Sequence, residues 1–246
     1  MPTSSTPCRT RWIAPGLLLA LTIVPVLAGM ARLVWLASGT LRPDSARFAA
    51  GPAPLVLHIL SASAFCVVGA FQFTPSIRSR WPGWHRAAGR LLVPAGLAAA
   101  ISGLWMVLFY PPGVNDGALL MGIRLVSGSA MAASILLGID AIYRQDFVSH
   151  TAWMMRGYAI GMGAGAQVVV FLAWALLGGA ANEGSRALLM GAGWAINLIV
   201  AEGVIRHRQA AAMIWSQDTD VFGSRRASTN ALTANRLLQR SDRRPL

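Results

Sequence analysis

Trp81-Pro82-Gly83-Trp84-His85-Arg86-Ala87-Ala88-Gly89-Arg90 is a polar island between two long apolar runs, and its reading decides the fold. It holds two tryptophans, a histidine and two arginines in ten residues. Amphipathic rings and arginines favour the boundary between lipid and water. The flanking runs, 53–73 and 91–110, each have the roughly 20 residues needed to cross a bilayer core. The island therefore reads as a connector at the membrane surface.

Outward from this island the pattern repeats. The chain has 246 residues, 55% hydrophobic and 12% charged, against about 25% charged in an ordinary soluble domain. Further runs lie at 12–31 (extended to 37), 117–139, 157–177 and 187–205, separated by Pro- and Gly-rich breaks. The prediction is an all-α, polytopic transmembrane helical bundle of about six spans. The segment 12–31 also has the layout of a signal peptide, but it is longer than the usual apolar core of one, which favours an uncleaved first span. The domain plan is a short N-terminus (1–11), a transmembrane domain (12–205) and a basic tail (206–246) expected to lack regular structure.

All 21 basic residues are arginine, and the net charge is +12. In a soluble protein this would suggest nucleic acid, but here the arginines sit where topology needs them, so no nucleic-acid partner is expected. Residues 1–11 and the 74–90 and 140–156 connectors carry eight arginines, and the alternate connectors carry three. The positive-inside rule then makes both termini cytoplasmic, in a bacterial cytoplasmic (inner) membrane. Cys8 and Cys66 are too few and too far apart in this plan to form a disulfide framework. Gly157, Gly161 and Gly165, and separately Gly89, Gly96 and Gly103, are spaced to form small-residue grooves for helix packing.

Ionisable groups inside a span are costly, and each marks a functional hypothesis. At ~1.5 Å per residue, His58 and Arg124 lie roughly 8–10 Å below the outer boundary, with Asp116 at the rim. They are placed to share an anionic ligand; alternatively, Arg124 reaches the headgroups and His58 bonds a nearby carbonyl. The inner group is larger. His85, Arg86 and Arg90 open the third span, and His150, Trp153 and Arg156 open the fifth. Gln72 closes the second span, and Asn197 and Glu202 occupy the inner half of the sixth. Glu202 lies ~22 Å from the outer end, close to the depth of Arg156, which predicts a structural Arg156–Glu202 pair. His85 and His150 match the requirement for two axial haem ligands at one depth. The plainer reading puts both in an aromatic belt with Trp81, Trp84 and Trp153. No H-E-x-x-H or comparable spacing occurs, so no metal site is assigned.

His58, then Gly69-Ala70-Phe71-Gln72-Phe73, His85-Arg86-Ala87-Ala88-Gly89-Arg90, His150-Thr151-Ala152-Trp153-Met154-Met155-Arg156, and Trp194-Ala195-Ile196-Asn197-Leu198 with Ala201-Glu202 resemble the bacterial membrane family catalogued as domain of unknown function 2306. The resemblance covers about residues 53–205. It implies a polytopic bundle whose polar residues recur, and it brings no catalytic role.

The residues support a haem- or quinone-linked redox bundle first. His85, His150, His58, Arg86, Arg90, Arg124 and Arg156 are then the cofactor-binding candidates, with haem b as the cofactor. The alternatives are a small-anion or lipid binding or transport protein in the lipid bilayer, and an accessory subunit with no chemistry of its own. A metal-dependent hydrolase using His85, His150 and Asp140 or Asp146 ranks last.

Overall fold

In lipid every backbone amide must be paired within its own segment, so long apolar runs become helices. The computed structural model describes residues 12–39, 46–49, 51–180 and 182–241. Segment 1–11 and Cys8 lie outside the described residues. The helices are α1 (Ile13–Ala37), α2 (Ala53–Gln72), α3 (Pro75–Arg80), α4 (Pro82–Phe109), α5 (Ala118–Tyr143), α6 (Phe147–Gly161), α7 (Gly163–Leu176) and α8 (Glu183–Ser241), with a 3-10 turn at Ala46–Phe48. Among the described residues there is no strand. The chain divides into two units, residues 1–201 and 202–246.

Among the described residues, five helices are long and apolar enough to cross a membrane, and the α6–α7 pair, bent by 46°, makes a sixth candidate. That pair runs from one end of the bundle to the other. Phe147 follows the end of α5 after a three-residue turn. Glu183, just beyond α7, lies over Gly117 at the start of α5. The chain thus returns along the ~39 Å length of α5, and the pair is one broken span. Many leucines, isoleucines and valines face outward, Leu17, Val126 and Ile199 among them. An apolar outer surface on an all-helical bundle is what a membrane protein presents to lipid.

One expectation needs correction. The fifth span was expected as one run over 157–177; it begins ten residues earlier, at Phe147, and breaks at Met162. Residues 206–241 continue α8. The tail has no proline before Pro245, and extending a nucleated helix adds one hydrogen bond per residue. Helices also reach further into the connectors than hydropathy indicates. α4 starts at Pro82, and the α5–α6 link shrinks to a tight reversal. There Gln145 takes a left-handed conformation (φ 59°), and Asp146 caps α6 by accepting from the Ser149 amide at 2.9 Å.

The break at Met162 is the main irregularity of the bundle. The run Gly161-Met162-Gly163 interrupts the helical ladder, and the Ala159, Ile160 and Gly161 carbonyls lose their i+4 backbone donors. Side chains replace them. Asn197 Nδ2 donates to the Ala159 carbonyl (3.1 Å), Trp194 Nε1 to Ile160 (3.2 Å) and the Cys66 thiol to Gly161 (3.4 Å). Irregular backbone at membrane depth persists only where the protein satisfies it in this way. Removing one such donor is expected to cost about 1 kcal/mol, so Asn197→Leu should lower stability by that amount and Trp194→Phe/Asn197→Leu by about 2. Denaturant unfolding in mixed micelles checks this, and an unchanged midpoint for the double variant would contradict it.

The core centres on Phe65, Ile135 and Tyr158, all nearly inaccessible. Tyr158 stacks obliquely on Phe65 and Phe73, with centroids 5.7 and 5.0 Å apart, and donates to the Cys66 carbonyl at 2.8 Å. The glycine grooves are used mainly by rings. A Cβ on Gly69 would strike Tyr158, and one on Gly96 or Gly161 would strike Phe65. Gly89 faces open space.

Candidate functional site

A cavity of about 1130 Å³ runs through the half of the bundle that carries Asp116. Its walls come from α1, α2, α4, α5 and α7, and its floor is the helix break, with Ile160, Gly161, Met162 and Trp194. None of the backbone hydrogen bonds across the break uses the Gly163 or Ala164 amide. The α7 N-terminus therefore turns partial positive charge toward the floor.

The mouth is organised by one carboxylate. Asp116, with a side chain 4% exposed, accepts from Arg124 Nη1 at 2.7 Å and Nη2 at 3.2 Å. It also accepts from Arg186 Nε at 2.9 Å and from the Gly113 amide at 3.2 Å, and Arg47 Nη1 stands 3.7 Å away. Burial alone would raise the Asp116 carboxyl, but hydrogen bonds and attraction from Arg124 and Arg186 hold it at about 2. Arg47 donates to the Pro111 carbonyl at 2.9 Å and lies over the Phe48 ring at 4.6 Å. Burial lowers the Arg47 pKa, attraction to Asp116 opposes this, and Arg124, Arg32 and Arg186 lower it further. Among the described residues, cations outnumber the acids here. Arg47, Arg124 and Arg186 surround Asp116, Arg32 lies within electrostatic range of Arg47, and the Glu183 carboxylate lies against Gly117.

His58 and Arg124 both line this cavity. The His58 Nδ1 lies 2.8 Å from the Ala99 carbonyl. A carbonyl only accepts, so the proton is on Nδ1, leaving Nε2 as an acceptor. Ser102 Oγ adds a contact to Nδ1 at 3.3 Å.

The other end of the bundle gathers the remaining candidates less tightly. His85 and His150 each occupy the fourth position of their helices, α4 and α6. Both are half-buried. His150 Nδ1 donates to the Gly138 carbonyl at 2.8 Å, and Arg78, His150 and Arg86 lie within electrostatic range of His85. Arg86 and Arg90 are exposed and line neither cavity wall nor mouth. Arg156 stacks on the Trp153 ring at 4.7 Å. Arg156 belongs to the first unit; Glu202 belongs to the second, where Arg206 Nε stands 3.5 Å from it. Asn197 is a capping residue of the helix break, and Gln72 closes α2. Asp140 pairs with Arg144, and Asp146 is a helix cap. Among the described residues, no three His, Cys, Asp or Glu side chains converge as metal ligands.

Sequence reasoning missed Arg47 and Arg186 as partners of Asp116 because both sit in connectors, where arginine is expected for topology alone. It also missed Trp194 and Cys66 as caps of the break. The Gly-Met-Gly-Ala-Gly run at 161–165 was the available signal for that break.

No curated protein and no solved structure matches the chain. A family described as a predicted membrane protein matches residues 55–205, from the first turn of α2 into α8. With well over half its length matched, the chain belongs to that membrane-protein family, domain of unknown function 2306.

Proposed function

We propose that the protein binds an anionic amphiphile within the membrane, its head among Arg47, Arg124 and Arg186 and its apolar chain in the cavity. The observation that carries this reading is an apolar-walled cavity of about 1130 Å³ whose mouth gathers Arg47, Arg124 and Arg186 around one carboxylate, Asp116, among the described residues. Ligand pockets of about 300–1,000 Å³ take drug-sized molecules, so one lipid chain is a reasonable occupant. Arginine forks suit carboxylate and phosphate heads. By the arginine asymmetry this mouth faces outward, and the ligand enters from the outer leaflet.

A quinone ligand is the second reading, and His58 favours it. Its unprotonated Nε2 is an acceptor for a quinol hydroxyl. The cavity lining includes one histidine, whereas a six-coordinate b haem needs two, so within this cavity a quinone fits better than a haem.

Laurate and dodecanol separate head-group charge from chain. Laurate is expected to raise the melting temperature of the detergent-purified protein and dodecanol much less, with the laurate shift reduced in Arg124→Gln. Equal shifts would discard the anionic-head reading. A quinol-specific shift lost in His58→Phe would favour the second reading.

A further inference from the structure

Buried polar atoms nearly always find a hydrogen-bond partner. Among the described residues four side-chain atoms do not: Arg47 Nε at the cavity mouth, and Gln72 Nε2, Thr74 Oγ1 and His85 Nδ1. The last three sit at helix ends on the opposite side of the bundle: Gln72 closes α2, Thr74 precedes α3, and His85 lies in the first turn of α4. Phe71 meets Trp84 edge-on with centroids 6.4 Å apart, which holds the end of α2 against the start of α4. Thr74 is 4% exposed, so water does not reach its hydroxyl from outside.

The electrostatic setting has one sign. The charged or titratable groups acting on His85 are Arg78, His150 and Arg86. The carboxylates of the neighbouring α5–α6 turn are committed, Asp140 to Arg144 and Asp146 to the Ser149 amide. His150 has its own acceptor in the Gly138 carbonyl. Donors that lack acceptors, in cationic surroundings, match a ligand that brings several oxygen acceptors and negative charge.

We propose that this end of the bundle holds a phosphate-binding site, in which Gln72 Nε2, Thr74 Oγ1 and His85 Nδ1 donate to phosphate oxygens and Arg78 supplies the counter-charge. The site is separate from the cavity and independent of what the cavity binds. Exposed Trp81 and Trp84 place it at headgroup depth, so the phosphate belongs to a phospholipid or is free in solution.

The test is a melting-temperature titration of the full chain in detergent, first with inorganic phosphate and then with phosphatidylglycerol, using diacylglycerol as the uncharged control. A response to both ligands means a free oxyanion site. A response to the phospholipid alone, without one to diacylglycerol, means a headgroup site; either supports the proposal. Thr74→Val should weaken the apparent affinity about tenfold, the loss of one charge-assisted hydrogen bond, and Thr74→Ser should restore it. Gln72→Leu should weaken it as Thr74→Val does. Arg124→Gln, at the other end, should leave intact the response to inorganic phosphate and the part of the phospholipid response that Thr74→Val removes. Without phosphate, Thr74→Val should melt no lower than wild type, because it removes a hydroxyl that has no partner. No response to either phosphate source, or an undiminished response in both Thr74→Val and Gln72→Leu, would overturn the site and leave the three donors bridged by water.

Discussion

Gly165→Val is expected to prevent α1 from packing in the bundle, with a loss of about 3 kcal/mol or more. The reason lies in what faces the glycine. A Cβ at Gly165 would overlap the Leu21 backbone carbonyl oxygen and crowd the Leu21 side chain. A flexible side-chain tip can move aside, but a carbonyl inside a helix cannot. The collision is relieved only by moving α1 away from α7. α1 otherwise rests on α2, where Gly29 admits Ile59 at 2.9 Å from a would-be Cβ, so the damage extends along one whole face of α1. Gly89→Val is the matched control, since nothing lies within 4 Å of a Cβ there. The yield of monodisperse protein and its melting temperature decide the matter. Equal behaviour of Gly165→Val and Gly89→Val would mean that α1 and α7 do not approach as closely as described.

The second large effect is expected at Asp116. Replacing it with asparagine leaves Arg47, Arg124 and Arg186 facing one another with a neutral partner. Removing one side of a buried ion pair costs about 3–5 kcal/mol, and because these arginines are 21–36% exposed the expected loss is nearer 2. The pH dependence has a definite sign. The folded-state pKa of about 2 lies below the usual carboxylate value of about 3.9. The stabilisation is therefore complete above pH about 4 and is lost as pH falls toward 2. Wild type should lose melting temperature over that window, and Asp116→Asn should lose less. Asp116→Asn combined with Arg186→Gln should recover part of the loss by removing one repelling charge. If the single variant melts like wild type, the carboxylate does not organise the mouth.

How much of this was legible beforehand follows from what each signal measures. Hydropathy reports the lipid-facing part of a helix, so α2 was read to within a residue of its end. It does not report where hydrogen bonding stops, so α4 and α6 begin well before their apolar runs. The break at Met162 escapes hydropathy because both halves of the span are apolar; the glycines of 161–165 mark it in the sequence, and capping by Asn197, Trp194 and Cys66 marks it in the structure. Depth counting placed His58 and Arg124 together, and the cavity contains both. It had no means of identifying Arg47 and Arg186 as partners of Asp116. Their positions depend on how the 3-10 turn and the α7–α8 link fold back over the bundle end. Arg86 and Arg90, named as cofactor-binding candidates, are exposed, because the first turns of α4 project beyond the packed core.

Native mass spectrometry of the intact chain is the most direct test of an arginine-rimmed lipid cavity. The protein would be offered equal amounts of phosphatidylglycerol and diacylglycerol. The account predicts preferential retention of phosphatidylglycerol at the cavity, weakened in Arg124→Gln and lost in Ala62→Phe, which fills the wall beside His58, while Thr74→Val keeps it. Equal retention of both lipids, or unchanged retention when the cavity is filled, would contradict the account.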